Sequence, residues 1–444
     1  MPPLDARLPK GMRDFLPGEV LKREYVIGVI TDVFQTFGFE PIATPVLELE
    51  ETLMGKYGED AEKLIFLARH PGGKEDLALR YDLSVPLSRY VAMHENELVF
   101  PFRRYHIAPV WRAERPQRGR YRELYQCDVD IVGVPDMSAD AEMVSLVTTA
   151  LRRLGFADFT VKINNRKILI GIGIYAGVPE AQRGDLYRSV DKLDKIGPDN
   201  IQAELRESGI SEDAIRRMMG LLEMRRGNLD SLRALGRELE GIAPAQEGIR
   251  ELEEMASGMD ALNVPPENYE IDFAMVRGLS YYTGPIYETI ITQPQNLGSV
   301  TGGGRYDDLI GLFRKQSLPN TGTSLGIERI IDLMDVLDLY PPELTGTVVQ
   351  VLVTVFDERT QGDSLRLASD LRAAGIRTEA YLQPKRSIGR QLQYADRKGV
   401  PIAAFLGTEE IAAGTVKFKR LRDGQEIVTP RDAAAQTVRD LLEG

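Results

Sequence analysis

The sequence has few of the residues that build disulfide bonds and metal sites. It contains a single cysteine, Cys127, and three histidines, His70, His94 and His106. One cysteine cannot form an internal disulfide bond, and this supply of cysteine and histidine is too small for the clusters that bind structural zinc. We therefore expect no protein-bound metal site; a metal ion would be held by carboxylates or arrive with a substrate.

Long hydrophobic runs are also missing. No apolar stretch approaches the roughly 18 residues that a membrane-spanning helix needs. The N-terminal sequence MPPLDARLPKGMRDFLP has no apolar segment of the kind found in signal peptides. These absences, together with 43% hydrophobic and 27% charged residues, predict a globular cytoplasmic protein.

Positive charge is in deficit overall but is concentrated locally. The formal net charge of the 444 residues is −12, whereas residues 341–444 hold 15 Lys and Arg against 14 Asp and Glu. Residues 111–131, WRAERPQRGRYRELYQCDVDI, contain five arginines in their first twelve positions. The net charge excludes a surface that is basic throughout, but a local patch of this kind is sufficient to contact phosphate groups.

The distribution of hydrophobic residues predicts several domains, as expected for a chain of 444 residues. Helical spacing of apolar residues from Val26 to Phe37 and from Asp140 to Gly155 indicates two helices, and residues 77–131 are mostly strand-like. Residues 175–259 are charged and helical, which indicates an inserted helical subdomain. After a proline-containing linker at residues 340–346, strands and helices alternate, which is typical of a small α/β domain with a largely parallel sheet.

The arginine-rich stretch is predicted to form a β-hairpin with RPQRG as its loop. Because side chains alternate along a strand, the residues after Gly119 divide into two faces. The polar face carries Arg120, Arg122, Leu124, Gln126, Asp128 and Asp130, and the other face carries Tyr121, Tyr125, Cys127, Val129 and Ile131. The polar face suits a polyanion at its arginine end and a cationic group at its carboxylate end. A solvated strand face with mutually paired charges is the alternative.

This hairpin, within FRRYHIAPVWRAERPQRGRYRELYQCDVDI, resembles the second signature motif of class II aminoacyl-tRNA synthetases, in the form carried by the histidyl-tRNA synthetase family. GTSLGIERI resembles the third motif of the class, and GMRDFLP with GFEPIATPVLE resembles the first, which builds the dimer interface. LRYDLSVPLSRY, VRGLSYYTGPIYE and GGGRYDDLIG resemble histidine-binding segments, and LQYADRKGVPIAAFLGTEEIAAGTVKFKRL resembles the anticodon-binding domain. The resemblance runs from about Lys10 to the C-terminus, with the motifs in the family's order.

The resemblance implies a multidomain fold of the α/β and α+β classes. Residues 1–340 would form a class II catalytic domain on an antiparallel sheet, with residues 175–259 as its helical insertion, and residues 345–444 would form an α/β anticodon-binding domain. The implied function is that of a histidine–tRNA ligase, which activates histidine with ATP to histidyl-adenylate and transfers it to the 3′ end of tRNA(His). It also implies a homodimer, Mg²⁺ accompanying ATP, and no membrane partner.

The resemblance assigns residues to ATP and to the chemical step. Arg112 would contact the α-phosphate, and Arg277 would lie opposite it, where other class II enzymes use a metal ion; these two are the predicted catalytic residues. Glu114 would bind the adenine amino group, and Arg120 and Arg329 would contact the β- and γ-phosphates and the adenine face. Because the attacking carboxylate of histidine is already ionised at neutral pH, the site needs cations and alignment rather than a strong base.

Two positions depart from the family's pattern. Leu124 stands where the family usually has a phenylalanine stacked on adenine. Leucine can cover the ring but has no aromatic face, so a somewhat weaker ATP site is expected. Ser280 stands where the family usually has aspartate, which bears on how Arg277 is positioned.

The residues implied to bind histidine are Asp82, Ser84, Gln126, Asp130, Arg277, Tyr281, Tyr282 and Tyr306. The first four would satisfy the α-ammonium group, and the tyrosines would provide walls and hydroxyls for the imidazole. Residues 302–304, all glycine, would let the backbone approach the substrate, although a turn is the alternative. Gln117 and Arg118 would contact the tRNA acceptor end. The candidates for anticodon reading, or alternatively for a solvated helix start, are Lys385, Arg386 and Arg390.

A non-catalytic paralogue is the alternative from another functional class. The regulatory subunit of ATP phosphoribosyltransferase keeps this fold to sense histidine, and it typically lacks the C-terminal domain and catalytic arginines. This sequence keeps that domain together with Arg112, Arg277 and Arg329, which favours the enzyme. A class II synthetase for another amino acid is disfavoured by the paired tyrosines and by GGGRYDD.

Overall fold

The computed structural model describes residues 5–55, 62–115, 121–224, 226–276, 281–293 and 298–443. The chain forms two compact units. The larger unit comprises Met1–Arg13 and Val26–Leu339, and the smaller unit comprises Asp14–Tyr25 and Tyr340–Gly444. Among the helices of these described stretches, none combines the length and the hydrophobicity that crossing a membrane requires.

The larger unit contains a nine-stranded sheet and a separate three-stranded sheet. Its strands are β1 (Glu40–Pro41), β2 (Leu47–Leu49), β3 (Leu67–Ala68), β4 (Leu77–Leu79), β5 (Phe102–Trp111), β6 (Glu123–Val132), β7 (Phe159–Asn165), β8 (Arg226–Gly227), β9 (Tyr269–Asp272), β10 (Pro285–Ile291), β11 (Ser299–Arg305) and β12 (Asn320–Gly326). The nine strands have the order β1-β5-β6-β12-β11-β10-β7-β9-β8, and the small sheet has the order β2-β4-β3. From β5 to β7 all neighbours are antiparallel, which places a continuous antiparallel surface at the centre.

Helix α1 (Pro17–Thr36) begins in the smaller unit and ends in the larger one. The further helices of the larger unit are α2 (Glu50–Leu53), α3 (Ser84–His94), α4 (Ser138–Arg153), α5 (Arg166–Tyr175), α6 (Glu180–Val190), α7 (Leu193–Glu207), α8 (Glu212–Glu223), α9 (Leu229–Glu238), α10 (Ala243–Ala261) and α11 (Ile327–Leu337). Short 3₁₀ turns lie at Pro266–Asn268 and Ile310–Leu312. Three of the described helices, α5, α8 and α9, have a side-chain cap at their N-terminus. The capping residues are Asn165, Ser211 and Asn228, and the side chain of each accepts a hydrogen bond from a backbone N–H of the first turn.

One prediction for this region is wrong. The stretch LALRYDLSVPLSRYV was interpreted as strand, but only Leu77–Leu79 is extended, and Ser84–His94 is helix α3. The two-residue spacing typical of a strand also occurs here, at Leu83, Val85 and Leu87. The helix begins instead where Asp82 Oδ1 accepts a hydrogen bond from the Val85 N–H, and Pro86 is tolerated because it lies in the first turn.

Helices α5 to α10 occupy the chain between β7 and β9, which are parallel neighbours in the sheet. Helix α10 packs against α4 and α5, so it belongs to the layer that covers the sheet. The helix predicted from Asp140 to Gly155 is present as α4, and eleven of its residues are buried. This layer closes one side of the sheet and leaves the other side of its centre available for a site.

The smaller unit contains a five-stranded sheet with the order β14-β13-β15-β16-β17. Its elements after residue 340 are β13 (Val351–Val353), α12 (Gln361–Ala373), β14 (Thr378–Ala380), α13 (Ile388–Lys398), β15 (Ile402–Phe405), α14 (Thr408–Ala413), β16 (Thr415–Arg420), β17 (Glu426–Pro430), a 3₁₀ turn at Arg431–Ala433 and α15 (Ala434–Glu443). The first three strands in this order are parallel, and β16 and β17 are antiparallel. The alternation of strand and helix predicted a largely parallel sheet, which describes three of its five strands.

Candidate active site

A cavity of about 330 Å³ lies over the central strands of the nine-stranded sheet. The described residues around it are Asp82, Ser84, Arg112, Gln126, Asp128, Asp130, Met275, Tyr281, Tyr282, Tyr287, Glu288, Gly302, Gly303, Tyr306, Gly322, Thr323 and Ser324. Arg112 is the cation among these described residues, whereas four of them are carboxylates. The described lining therefore favours a positively charged group on a bound molecule.

Strand β6 supplies the floor of the cavity. The alternation predicted for this strand is observed, because Gln126, Asp128 and Asp130 lie on one face and all three line the cavity. On β12 these three residues pair with Gly326, Ser324 and Gly322, respectively. On β5 they pair, in the same order, with Ala108, His106 and Arg104. At Gln126, Asp128 and Asp130 the polar face of the hairpin therefore lines a cavity and is not a solvated strand face.

Asp130 is buried under the cavity between a tyrosine and an arginine. Tyr306 donates its hydroxyl hydrogen bond to Asp130 Oδ1, and Arg104 Nη2 lies 2.5 Å from Asp130 Oδ2. Burial raises the pKa of Asp130, while the neighbouring Arg104 charge acts to lower it. Tyr306 keeps its proton because burial raises its pKa well above 10.

Asp128 lies two residues nearer the start of β6. Burial raises its pKa to about 7, although Arg104 and a hydrogen bond with Ser324 act in the other direction. Ser324 also accepts a hydrogen bond of 3.4 Å from Gln126 Nε2. On the adjacent strand, His106 is neutral, because burial and the charges of Arg104 and Arg80 lower its pKa to about 3.

Three tyrosines form an aromatic wall beside these carboxylates. The ring centroids of Tyr281 lie 5.0 Å from Tyr282 and 5.5 Å from Tyr306, and those of Tyr282 and Tyr306 are 6.3 Å apart. Burial raises the pKa of Tyr281 well above 10 despite its hydrogen bond with Ser84, and also raises the pKa of Tyr282. All three hydroxyls are therefore protonated at neutral pH and able to donate.

Arg112 is held at the opposite end of the site from Asp130. Its Nε donates to the Tyr81 carbonyl oxygen at 3.1 Å, and its guanidinium lies 4.6 Å from the centre of the Tyr81 ring. Backbone pairing of Arg112 N–H with the Arg122 carbonyl at 2.9 Å extends the hairpin beyond β5 and β6. The guanidinium therefore borders the cavity in a fixed orientation.

Three other residues predicted to bind ATP are described by the structure but do not line the cavity. Glu114 is half-buried near the hairpin, where Arg122 Nε donates to its carbonyl oxygen at 3.1 Å. Leu124 packs against Leu83, Ala108 and Val110. Arg329, in α11, donates from Nη1 to the Ser299 carbonyl. None of these three is among the described residues that line the cavity itself.

Several predicted site residues lie outside the described residues. They are Gln117, Arg118, Arg120, Arg277 and Ser280. The described residues Met275 and Tyr281, which flank the segment containing Arg277 in the sequence, both line the cavity.

Three glycines of β11 and β12 have no room for a side chain. A methyl group on Gly322 would lie 1.9 Å from Asp130 Oδ1, and one on Gly303 would lie 2.2 Å from the Gly322 carbonyl oxygen. A methyl group on Gly304 would lie 2.7 Å from the Pro285 carbonyl oxygen. At Gly302, by contrast, a methyl group would meet no described atom within 4 Å. Gly302 therefore presents open backbone to the cavity.

The structure brings to this site four residues to which the sequence assigns no role. The strand period puts Asp128 on the polar face but indicates no role for it, and no motif points to Glu288, Ser324 or Arg104. A signal for Arg104 existed, since a hairpin centred on the RPQRG loop pairs Arg104 with Asp130, as observed. For Glu288, on β10, the order of strands in the sheet was needed.

Comparison with known proteins identifies the family. The family model described as histidyl-tRNA synthetase matches residues 11–330, and the one described as anticodon binding domain matches residues 350–441. The chain belongs to the histidyl-tRNA synthetase family. Its function is therefore that of an aminoacyl-tRNA synthetase, a histidine–tRNA ligase, which confirms the function predicted from the sequence.

Relatives in this family match nearly the whole chain. The histidine–tRNA ligase of Porphyromonas gingivalis is 42% identical over 450 residues, covering 96% of this chain and 97% of the relative. That of Aeropyrum pernix is 41% identical and covers 98% of each. The crystal structure of histidyl-tRNA synthetase from Nostoc sp. PCC 7120 has a TM-score of 0.88 at 31% identity, covering 99% of this chain and 100% of that one. The predicted class II synthetase fold with an anticodon-binding domain is confirmed.

The description of one similar structure, from Bacillus halodurans, names both the regulatory subunit and the synthetase. It is described as an ATP phosphoribosyltransferase regulatory subunit/histidyl-tRNA synthetase. It has a TM-score of 0.73 at 22% identity, covering 88% of this chain and 97% of that one. At this identity the likeness concerns the fold alone.

Proposed function

We propose that the cavity binds histidine, that ATP is bound beside it at Arg112, and that the histidyl group formed there is transferred to the 3′ end of tRNA(His). The observation that carries this proposal is the convergence of buried carboxylates, three protonated tyrosines and Arg112 on one cavity. The carboxylates suit the α-ammonium group, and paired donors and acceptors suit an imidazole. Family membership supplies the identity of both substrates.

The positions of Arg112 and Asp130 support one orientation for histidine. Its carboxylate must reach the α-phosphate at Arg112, so its ring points along β6 toward Asp130. We assign the α-ammonium group to Asp82, Gln126 and Ser84, as predicted. Asp130 was grouped with them from the sequence, but its hydrogen bond with Tyr306 supports placing both at the imidazole end. Tyr281 and Tyr282 complete the walls around the ring.

The chemical step needs positive charge at the phosphates. The histidine carboxylate attacks the α-phosphorus, and pyrophosphate leaves with the bonding electrons. Arg112 and Arg277 would neutralise the α-phosphate oxygens as charge develops on them. The flanking positions of Met275 and Tyr281 at the cavity support this role for Arg277. Mg²⁺ would accompany the β- and γ-phosphates of ATP rather than occupy a protein site.

The remaining ATP contacts follow the family assignments. Arg120 and Arg329 would hold the β- and γ-phosphates and cover the adenine. Glu114 would accept from the adenine amino group, and Leu124, in its apolar cluster, would cover the ring.

Two regions are proposed to contact tRNA(His). Gln117 and Arg118, in the hairpin loop of the catalytic domain at residues 1–340, would contact the acceptor end. In the smaller unit, the anticodon-binding domain at residues 345–444 would use Lys385, Arg386 and Arg390. Phe356, which is 45% exposed, adds an aromatic surface for stacking on a base. The helical insertion at residues 175–259 has no assigned contact.

The active form is proposed to be a homodimer in the cytoplasm, where tRNA is charged. The small sheet supports the dimer, because β2 and β4 pair Leu47 with Leu79 and Leu49 with Leu77 on one face. Leu47 and Leu49 are 43% and 40% exposed, which leaves an apolar surface for a second copy. Sedimentation velocity of the protein and of Leu47→Glu tests this assignment: a wild-type monomer at micromolar concentration contradicts it.

The decisive experiment is ATP–pyrophosphate exchange with each of the twenty amino acids, repeated for Arg277→His. Exchange with histidine alone, largely abolished in Arg277→His, is the expected result. Histidine binding by calorimetry without exchange in the wild type would mean that the site senses histidine and does not activate it. Exchange with another amino acid would overturn the assignment of the cavity.

A further inference from the structure

We infer that Arg104 is a positioning residue that fixes the orientation of Asp130 and keeps it ionised, and so contributes to the selection of histidine. The inference rests on the proposed role of Asp130 as acceptor of an imidazole N–H. Arg104 is fully buried, and it is absent from the described residues that line the cavity. It therefore acts through Asp130 rather than on the substrate.

Each oxygen of Asp130 is in contact with a protein group, and the two contacts together fix the plane of the carboxylate. Arg104, on β5, is directly opposite Asp130 on β6, so both side chains are on the same face of the sheet. Arg104 Nη2 lies 2.5 Å from Oδ2, whereas Tyr306 contacts Oδ1. Gly322, opposite Asp130 on β12, has no side chain that could compete. Rotation of the carboxylate would break both contacts.

The protonation state of Asp130 matters because neutral imidazole has one N–H donor and one acceptor nitrogen. A carboxylate accepts from the N–H, and a tyrosine hydroxyl donates to the other nitrogen. If Asp130 were protonated, both protein groups would be donors and one ring nitrogen would be mismatched. A buried carboxylate without a cation takes up a proton more readily, so the charge of Arg104 determines which pairing is available.

The groups around Asp130 come from every neighbouring element. Arg104 and the neutral His106 face it from β5, Asp128 lies beside it on β6, and Asp82 precedes α3. Tyr306 follows β11, and the carboxylate also acts on Tyr282. Asp82 is acidic and opposes the ionisation of Asp130, while Arg104 is the neighbour that favours it most strongly.

Arg104→Met tests the inference, because methionine preserves much of the side-chain length and removes the charge. The histidine KM in ATP–pyrophosphate exchange is expected to rise by roughly 10- to 100-fold at neutral pH, as for loss of a charge-assisted hydrogen bond. The KM for ATP should change by less than about threefold. The ratio of variant to wild-type kcat/KM for histidine should recover as pH rises from 6 to 8.5, because Asp130 then ionises without help. A defect that is constant with pH overturns the inference.

Two matched controls separate charge from general damage. Arg104→Lys retains the cation and should keep the wild-type pH profile even if KM increases. Arg103→Met removes the neighbouring arginine, which pairs with Glu142 and is not among the described residues that line the cavity. It should leave the histidine KM unchanged, and an equal effect of Arg103→Met and Arg104→Met contradicts a specific role.

Asp130→Asn distinguishes failure of this inference from failure of the proposed function. If Asp130→Asn leaves the histidine KM unchanged, the assignment of Asp130 to the imidazole is wrong. If Asp130→Asn weakens histidine and Arg104→Met does not, only the role of Arg104 is wrong. The double variant Arg104→Met/Asp130→Asn carries no unpaired buried charge, so it remains testable if Arg104→Met fails to fold. Its histidine KM should equal that of Asp130→Asn.

Discussion

Adding one methyl group to Gly302 should increase stability and decrease activity at the same time. The position has no described atom within 4 Å of the added carbon, and its φ is not in the left-handed region. Alanine therefore fits without a clash, and it reduces the freedom of the unfolded chain, which stabilises a protein by about 0.4–1 kcal/mol. The same methyl group projects into the cavity of about 330 Å³ in which histidine is proposed to bind.

The loss of activity can be estimated from overpacking. Extra methyl groups forced against a well-fitted partner cost about 1–3 kcal/mol, which corresponds to a 5- to 150-fold rise in the histidine KM by the relation of about 1.4 kcal/mol per tenfold. Gly322→Ala is the matched comparison, because its methyl group would lie 1.9 Å from Asp130 Oδ1. That variant should lose both stability and activity.

Thermal unfolding and ATP–pyrophosphate exchange, measured on the same preparations, test this pair. A melting temperature for Gly302→Ala at or above that of the wild type, with a raised histidine KM, is the expected result. Unchanged histidine kinetics in Gly302→Ala would refute the reasoning, since the substrate would then not approach this strand. A lower melting temperature would refute the claim that the space above Gly302 is open.

Three further changes test separate parts of the site. Leu124→Phe should lower the KM for ATP a fewfold by restoring an aromatic face for adenine; an unchanged or higher value contradicts the placement of Leu124 at the ring. Because burial raises the pKa of Asp128 to about 7, the folded protein holds a proton that the unfolded chain releases, and stability falls as pH rises from about 4 to 7. The free energy of unfolding, measured with urea, should therefore change in favour of Asp128→Asn relative to the wild type by at least about 1 kcal/mol between about pH 5 and pH 8. A difference between the two proteins that is constant with pH would rule out this ionisation. Phe356→Ala should raise the tRNA KM roughly tenfold without changing ATP–pyrophosphate exchange, whereas Val428→Ala, at a site that is 62% exposed, should change neither; equal effects of the two would argue against stacking.

The sequence was most informative where a local pattern coincided with a functional surface. The two-residue period from Glu123 to Val132 predicted which side chains share a face, and the structure places Gln126, Asp128 and Asp130 together on the cavity floor. The same period was misleading at Leu83, Val85 and Leu87, because a short helix with apolar residues on its buried side also contains such alternation. There the Val85 N–H donates to Asp82 Oδ1 at the start of the helix.

Other parts of the site depend on contacts between distant segments. The distinction between the ammonium and imidazole ends required the contact between Asp130 and Tyr306, which are 176 residues apart. Glu288 reaches the cavity only because β10 is two strands from β12 in the sheet, although helices α4 to α10 lie between β6 and β10 in the chain. No local pattern encodes such proximity.

The strand order of the nine-stranded sheet also determines when the site can exist during synthesis. Strand β6 ends at Val132, but its neighbour β12 begins only at Asn320. While the ribosome adds the intervening residues, β6 has β5 on one side and an open edge on the other. An open edge is able to pair with another chain until it is covered. The floor of the cavity is therefore completed only when nearly the whole larger unit has been translated, so a truncated chain would expose Asp128 and Asp130 without forming the pocket that uses them.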